Sequence, residues 1–94
     1  MKLTNKIALV TGGGTGIGKA IAKAILAEGA KVIIIGRTES KLLEAQDELG
    51  SGIEIMVCDI TIESQVTNLY ETIMSKHGKL DILINNAGTS FKEK

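Results

Sequence analysis

The stretch from Thr11 to Gly18, TGGGTGIG, holds the residues whose types and spacing most directly suggest chemistry. It separates an apolar, β-prone run from an alanine- and isoleucine-rich run with helical spacing. A glycine-rich turn from a strand into a helix brings backbone N–H groups close to a phosphate, which the helix N-terminus then binds. Two known loops have this outline, the P-loop that binds nucleoside triphosphates and the loop that binds dinucleotides.

The P-loop alternative fails at one position. Its pattern is G-x-x-x-x-G-K-[ST], and Gly13, Gly18 and Lys19 satisfy the first seven places. The eighth place is Ala20, which has no hydroxyl to bind the magnesium ion that bridges the phosphates. The run that ends at Asp59, IMVCD, resembles a Walker B strand. The missing hydroxyl nevertheless disfavours an NTPase.

The dinucleotide alternative needs glycines for a tight turn, for approach to the pyrophosphate and for close packing of helix on strand. Gly12, Gly16 and Gly18 are available, although their G-x-x-x-G-x-G spacing is wider than the usual G-x-G-x-x-G. Lys19 would then be an ordinary residue of the first helical turn. Because a tight turn without a ligand has a similar sequence, the loop alone leaves both interpretations open.

Alternating apolar runs and amphipathic segments predict the elements that position this loop. Apolar runs predict strands over residues 6–11, 31–35, 53–57 and 80–84. Helices are predicted from Ile17 to a stop at Gly29, from Thr38 or Glu39 to Gly50, and from an N-cap at Thr61 to Gly78. The resulting β-α-β-α-β-α-β order predicts an α/β fold with a parallel sheet and right-handed crossovers.

The apolar positions of the helices predict which faces are buried. The first helix is expected to bury Ile17, Ala20, Ile21, Ala24 and Ile25, and the third Val66, Leu69, Tyr70, Ile73 and His77. Tyr70 is therefore expected in the core. His77 is expected to pack or to cap the helix C-terminus rather than act as a base, and Cys58 is expected to be a small packing residue.

The composition narrows the classes of function. The chain has 94 residues, which is the size of one small domain, and a formal net charge of +0. No basic face suggests nucleic acid, no apolar run approaches the ~20 residues of a membrane span, and no signal peptide is apparent. One cysteine allows no disulfide, and no metal site is expected. A soluble, cytoplasmic protein is the expectation.

Two segments together resemble the short-chain dehydrogenase/reductase family. Residues 11–18, TGGGTGIG, match its T-G-x-x-x-G-[IL]-G pattern after the first strand, and residues 78–88, GKLDILINNAG, carry its N-N-A-G after the fourth. Asp59, after the third strand, also matches, and the resemblance extends from Lys6 to Gly88. It implies a Rossmann-type parallel sheet of strand order 3-2-1-4. Residues 1–94 would be the N-terminal NAD(P)-binding portion, truncated before the catalytic half.

The resemblance implies roles for the matched residues around the phosphates. Gly12, Gly16 and Gly18 would shape the pyrophosphate loop, which also contains Thr15 and Ile17. Ile17 would contribute to the cofactor pocket as well.

The remaining matched residues would contact the adenine and the riboses. Asp59 would accept a hydrogen bond from the adenine amino group, with Ile60 beside the ring. Asn86, Ala87 and Gly88 would line the floor beneath the riboses. Asn86 would also brace the sheet against Thr11. The alternative for Thr11, Asn85 and Asn86 is that they mainly tie strand ends together.

The residues after the second predicted strand favour NADP over NAD. A carboxylate there would accept the ribose 2′-OH of NAD, but the sequence is Gly36-Arg37-Thr38, with no acid before Glu39. The guanidinium of Arg37 can pair with a 2′-phosphate, and Thr38 can add a hydroxyl. The family's other basic position, just before the second glycine of the loop, is occupied by Thr15, so it adds no positive charge to the case for NADP. The alternative for Arg37 is a solvated loop charge.

The family's catalytic residues have no match in this sequence. The resemblance implies a serine and a Tyr-x-x-x-Lys pair, yet the only tyrosine, Tyr70, is followed four residues later by Met74. Ser90 follows NNAG too closely to be the serine. The expected function is NADP-dependent oxidation or reduction of an alcohol or carbonyl in the complete protein, with this chain alone inactive and its substrate unreadable. The alternative is a stand-alone nucleotide-binding or assembly module. Uncovered apolar surface on the fourth strand predicts self-association.

Overall fold

The computed structural model describes residues 2–14 and 16–86. The elements are β1 (Ile7–Thr11), α1 (Gly16–Ala27), β2 (Lys31–Gly36), α2 (Glu39–Leu49), β3 (Ile53–Val57), α3 (Glu63–His77) and β4 (Ile82–Asn85). All paired strands are parallel, in the order β3-β2-β1-β4. The predicted α/β fold and strand order are confirmed.

The strand register brings the carboxyl ends of all four strands to one edge of the sheet. Thr11 lies opposite Ile35 on one side and Asn85 on the other, and Gly36 lies opposite Val57. At the opposite edge, Asp81 holds β4 against β1, since its Oδ2 accepts the Ile7 N–H at 2.7 Å and its own N–H donates to the Ile7 carbonyl at 2.9 Å. That hydrogen bond from Ile7 lowers the pKa of Asp81.

Two apolar layers cover the faces of the sheet. The helices α1 and α2 pack on one face, in a cluster that includes Val10, Ala22, Val32, Ile34, Leu42 and Ala45. The helix α3 packs on the other face, in a cluster of Leu9, Ile33, Ile35, Cys58, Leu69 and Ile73. The central residues of β2 alternate between the two clusters, which is why that strand is an uninterrupted aliphatic run. Cys58 is a packing residue, as expected.

The face that α1 buries differs from the prediction. Gly18 and Ala22 are its buried residues, whereas Ala20 and Ala24 are exposed and Ile17 is 71% exposed. Alanine and isoleucine occur around the whole circumference of this helix, so periodicity alone could not select a face. The close contact of Gly18 with β1 selects it instead.

The helix boundaries agree with the glycine stops but not with every predicted cap. Gly78 ends α3 in the left-handed conformation with φ 79°, and Thr38 precedes α2 as predicted. The predicted N-cap at Thr61 is wrong, because the N-cap of α3 is Ile62. The N–H and hydroxyl of Thr61 bond to Asp59 instead.

The face of the sheet under α3 is only partly covered in the described part of the chain. Tyr70, predicted to be buried, is 51% exposed, and Met74 beside it is 44% exposed. Leu83 on β4 is 56% exposed. Tyr70 lies on the side of α3 away from Leu69 and Ile73, whose side chains pack in the cluster on the sheet. Self-association through this surface stays a prediction. None of the described helices is long and apolar enough to cross a membrane.

A charged cluster joins the carboxyl end of α3 to β3. Glu54 accepts hydrogen bonds from Lys76 Nζ at 2.8 Å and contacts His77 Nε2 at 2.9 Å. The Glu54 and His77 side chains are only 13% and 12% exposed. Burial acts to raise the pKa of Glu54, but the hydrogen bonds from Lys76 and His77 together outweigh it and lower that pKa below its ordinary value of 4.5. His77 is therefore packed against β3, as one of the two expectations had it, and it makes a polar contact there; the C-cap of α3 is Gly78.

We expect Glu54→Gln to lower the free energy of unfolding at neutral pH by about 1 kcal/mol, because Gln keeps the shape but loses the charge-assisted bonds. The folded-state pKa of Glu54 lies below its ordinary value of 4.5, so this stabilisation is fully present above about pH 5 and is lost as the pH falls through the folded-state value. Urea unfolding of both proteins across this range measures it. Glu44→Gln, on the exposed side of α2, is the control. A wild-type advantage that persists unchanged in acid would contradict the assignment.

Candidate functional site

The loop between β1 and α1 depends on a very close backbone contact. A Cβ atom at Gly18 would lie 2.1 Å from the carbonyl oxygen of Gly12 and 2.7 Å from Asn86 Nδ2. No real side chain tolerates such distances, so only glycine allows α1 to start directly against the end of β1. This is the close packing of helix on strand that the third glycine of a dinucleotide loop provides.

Asn86 and Thr11 join the same loop to the end of β4. The Asn86 N–H donates to Thr11 Oγ1 at 2.8 Å, and Asn86 Nδ2 donates to the Gly12 carbonyl at 3.4 Å. The Thr11 hydroxyl lies within donating distance of the Ile84 carbonyl at 3.4 Å and of Asn85 Oδ1 at 3.2 Å. Asn86 thus braces the sheet against Thr11, as the sequence predicted. These bonds make Thr11 and Asn86 structural supports of the loop, whatever else they contact.

Gly13 also lies in the loop, although the dinucleotide pattern of Gly12, Gly16 and Gly18 gives it no role. A Cβ at Gly13 would lie 2.6 Å from both Cβ and Cγ2 of Ile34, a fully buried side chain of β2. The N–H groups of Gly12 and Gly13 both donate to the Ile35 carbonyl, at 3.0 and 3.3 Å. The loop therefore lies flat on β2. In the sequence, the run of three consecutive glycines was the signal that could have indicated this close contact with β2.

The N-terminus of α1 leaves room beside its first residue in the described part of the chain. Gly16 begins the helix with φ 56°, and a Cβ added there would meet none of the described atoms within 4 Å. Ile17 is exposed beside it, and no acidic residue lies in the first turn. The first N–H groups of any helix have no intrahelical acceptor, and the helix dipole adds positive potential there. This end of α1 suits an anion.

The Lys19 side chain is held by an ion pair with α2 rather than left free beside the N-terminus of α1. Its Nζ lies 3.0 Å from Glu48 Oε1 and 3.2 Å from Oε2, so it forms an ion pair that joins α1 to α2. In a P-loop the lysine at this position would reach the β- and γ-phosphates. The geometry therefore adds to the argument from Ala20 against an NTPase.

Asp59 and Ile60 follow β3 at the same edge of the sheet. Asp59 Oδ1 accepts hydrogen bonds from the Thr61 hydroxyl at 2.6 Å and the Thr61 N–H at 2.9 Å, and the Asp59 N–H donates to Gln65 Oε1 at 2.8 Å. The hydrogen bonds from Thr61, with a smaller effect of the Arg37 charge, lower the pKa of Asp59. The carboxylate is thus ionised at neutral pH. Ile60 is 39% exposed beside it.

Arg37 and Thr38 follow β2, between the glycine loop and Asp59. Both side chains are exposed, and Arg37 forms none of the ion pairs found among the described residues. Its charge is near enough to lower the pKa of Asp59. A guanidinium without an ion-pair partner among residues 2–14 and 16–86 could bind a ligand at this edge.

The site residues predicted from sequence divide into those that the structure describes and those it does not. The ends of the strands bring together Gly12, Gly16, Ile17, Gly18, Arg37, Thr38, Asp59, Ile60 and Asn86. Thr15, Ala87 and Gly88 lie outside the described residues. Within residues 2–14 and 16–86, no three side chains of His, Cys, Asp or Glu come together as a metal site would require.

Comparison with known proteins decides the family. A family model described as short chain dehydrogenase matches residues 6–94. The chain belongs to the short-chain dehydrogenase family. An uncharacterised oxidoreductase of Staphylococcus epidermidis is 34% identical over 93 residues, which is 99% of this chain and 40% of that protein. The uncharacterised oxidoreductase DltE of Bacillus subtilis is 44% identical over 88 residues, or 94% of this chain and 34% of that protein.

Solved structures of the family share the fold. A metagenomic short-chain oxidoreductase crystallised in complex with NADP is 33% identical, with a TM-score of 0.89 over 94% of this chain and 41% of that one. This short-chain dehydrogenase sequence thus spans about two fifths of the length of its relatives, and the shared part holds the strand ends described above.

We expect Gly18→Ala to lower the free energy of unfolding by about 1–3 kcal/mol, because the methyl group must push β1 and α1 apart. Gly14→Ala is the matched control, since its Cβ would make ordinary 3.5 Å contacts with Leu42 and Lys41. Urea unfolding of the two variants measures the difference. Equal stability of the two variants would show that the Gly12–Gly18 contact is not tight in solution.

Proposed function

We propose that this chain is the NADP(H)-binding portion of a short-chain dehydrogenase whose complete form transfers hydride between NADP(H) and an alcohol or carbonyl substrate. The observation that carries the proposal is the position of Arg37, a cation with no described ion-pair partner, one strand away from the open N-terminus of α1. The NADP complex of a structural relative supports it.

The residues present fit a dinucleotide. The pyrophosphate would lie at the N-terminus of α1, where Gly12, Gly16 and Gly18 leave room for it and the helix dipole favours its charge. Thr15 and Ile17 would complete this loop, with the exposed Ile17 side chain against the cofactor. Asn86, Ala87 and Gly88 would lie beneath the riboses, at the end of β4.

The adenosine half would lie over the ends of β2 and β3. Arg37 would hold the 2′-phosphate through its planar fork, helped by the Thr38 hydroxyl. Asp59 would accept the adenine amino group, and Ile60 would pack beside the ring. NAD has no phosphate at the 2′ position, so Arg37 would have no phosphate to pair with. The sequence also has no carboxylate directly after β2 that could accept the ribose 2′-OH of NAD.

The nicotinamide would extend over the ends of β1 and β4. These two strands are neighbours, although α1 follows β1 on one face of the sheet and α3 precedes β4 on the other. Ligands of open α/β sheets bind at such a switch in strand order. The cofactor supplies or accepts the hydride when bound, and the chain's own residues bind and orient it. Tyr70, the one tyrosine, is not part of a Tyr-x-x-x-Lys pair.

We expect Arg37→Gln to weaken NADPH binding by roughly ten- to a hundredfold, the usual loss for a charge-assisted bond to phosphate. Binding of NADH should change less than twofold. Titration of the purified chain followed by NADPH fluorescence measures both constants. Lys23→Gln removes the same charge from the exposed side of α1 and is the control. A wild-type chain that binds NADH as tightly as NADPH would overturn the assignment of the cofactor.

A further inference from the structure

The segment that carries Asp59 is held in place by the start of α3 rather than by the sheet alone. Gln65, in the first turn of α3, accepts the Asp59 N–H at 2.8 Å through Oε1. The Asp59 carbonyl accepts the Ile62 N–H at 3.0 Å, and the Cys58 N–H donates to the Gly36 carbonyl at 2.9 Å. Both backbone groups of Asp59 therefore bond to the α3 end of the loop, and only its neighbour Cys58 bonds to β2.

The carboxylate of Asp59 is oriented by a second residue of the same loop. Its Oδ1 accepts two hydrogen bonds from Thr61, one from the hydroxyl at 2.6 Å and one from the backbone N–H at 2.9 Å. A carboxylate has about four acceptor directions on its two oxygens, and Thr61 occupies those of Oδ1. Oδ2 accepts none of the described hydrogen bonds, so it is left for a donor outside the loop.

We propose that Gln65 and Thr61 are positioning residues for recognition of the adenine amino group, an inference that rests on the proposed function. Gln65 holds the backbone of Asp59 at the end of β3, and Thr61 turns the carboxylate so that Oδ2 faces the ligand. Neither residue contacts the cofactor. Their effect is to order the acceptor before binding, which removes an entropy cost that a loose aspartate would add.

This arrangement makes α3 part of base recognition. The opposite end of α3 is held to β3 by Glu54 with Lys76 and His77, and its middle packs on the sheet through Leu69 and Ile73. Gln65 is thus on a rigid helix, whereas the residues that it holds in place, Asp59 to Ile62, form an exposed loop. A rigid helix supporting a polar loop is how a single acceptor direction can be kept at an exposed site.

The test compares two dinucleotides, NADPH and its analogue in which hypoxanthine replaces adenine. The analogue carries a carbonyl oxygen at the position of the adenine amino group, so it lacks the amino donor that is assigned to Asp59 Oδ2 and presents an acceptor there instead. The variants are Gln65→Met, which keeps the length of the side chain but loses the acceptor, and Thr61→Val, which keeps the shape but loses the hydroxyl. Thr61→Ser retains the hydroxyl and should rescue. Asn68→Met, one turn along α3 and exposed, is the matched control for Gln65→Met.

In both loss variants we expect the dissociation constant for NADPH to rise roughly three- to tenfold, as for one lost hydrogen bond, with no rise for the analogue. The preference for NADPH over the analogue should therefore fall, which general loosening of the fold would not cause. In Thr61→Val the pKa of Asp59 should also rise, because two of the bonds that favour its charged form are weakened or lost. Titration of the carboxyl carbon by NMR measures this.

The outcomes separate the two proposals. A wild-type chain that binds neither dinucleotide overturns the proposed function, and this inference with it. A wild-type chain that prefers NADPH, with variants that keep the same preference, overturns this inference alone. Equal losses of both dinucleotides in Gln65→Met would assign Gln65 a merely structural role and would likewise overturn it. Thermal unfolding of each variant confirms that binding is measured on folded protein.

Discussion

The approach of α1 to the end of β1 is the constraint on which the rest of the site depends. Because Gly18 has no side chain, the Gly12 carbonyl can lie where a Cβ would otherwise be. That contact sets the rotation of α1, buries Ala22 and turns Ile17 outward. It also leaves the Gly12 carbonyl within reach of Asn86, so the end of β4 is tied to the same point. The absence of a side chain at Gly18 thereby allows α1, the glycine loop and the end of β4 to meet at one point.

The sheet explains why the polar residues meet. Apart from Glu54 in β3, the strand residues under the helices are apolar, and polar residues occur at the carboxyl ends of the strands or just after them, at Thr11, Arg37, Asp59 and Asn85. In a parallel sheet these ends share one edge, which is where a ligand can be bound without disturbing the core. The opposite edge carries structural groups instead, such as Asp81, whose carboxylate accepts the first N–H of β1.

Most of the fold could be predicted because its signals are local. Aliphatic runs marked all four strands to within two residues, and glycines marked where helices end. The candidate site residues were assigned by motif, and their binding roles stay predictions. The face of α1 was not predictable, because its apolar residues surround the helix and only the Gly18 contact chooses among them. Tyr70 was misassigned for a related reason: a helical stripe shows which residues share a side of the helix but not how far the sheet extends beneath them.

Thr61 shows how a local rule for helix caps can fail beside a candidate site. A threonine shortly before a helix usually accepts from the first turn, and Thr61 lies only two residues before α3. Here its hydroxyl donates to Asp59, and Gln65 bonds back to the same residue from within the helix. Single-residue preferences for helix caps cannot predict these bonds, because the bonds depend on the Thr61 and Gln65 side chains and on the backbone turn after Asp59 together. The proposed site consequently has two supports: α1 with β1 and β4 hold the loop assigned to the phosphates, and α3 with β3 holds the loop assigned to the base. The two are joined chiefly through the hydrogen-bonded ladder of β2. Under the proposed assignment, a change in α3 is therefore expected to alter base recognition while the glycine loop, supported from the other face of the sheet, keeps its shape.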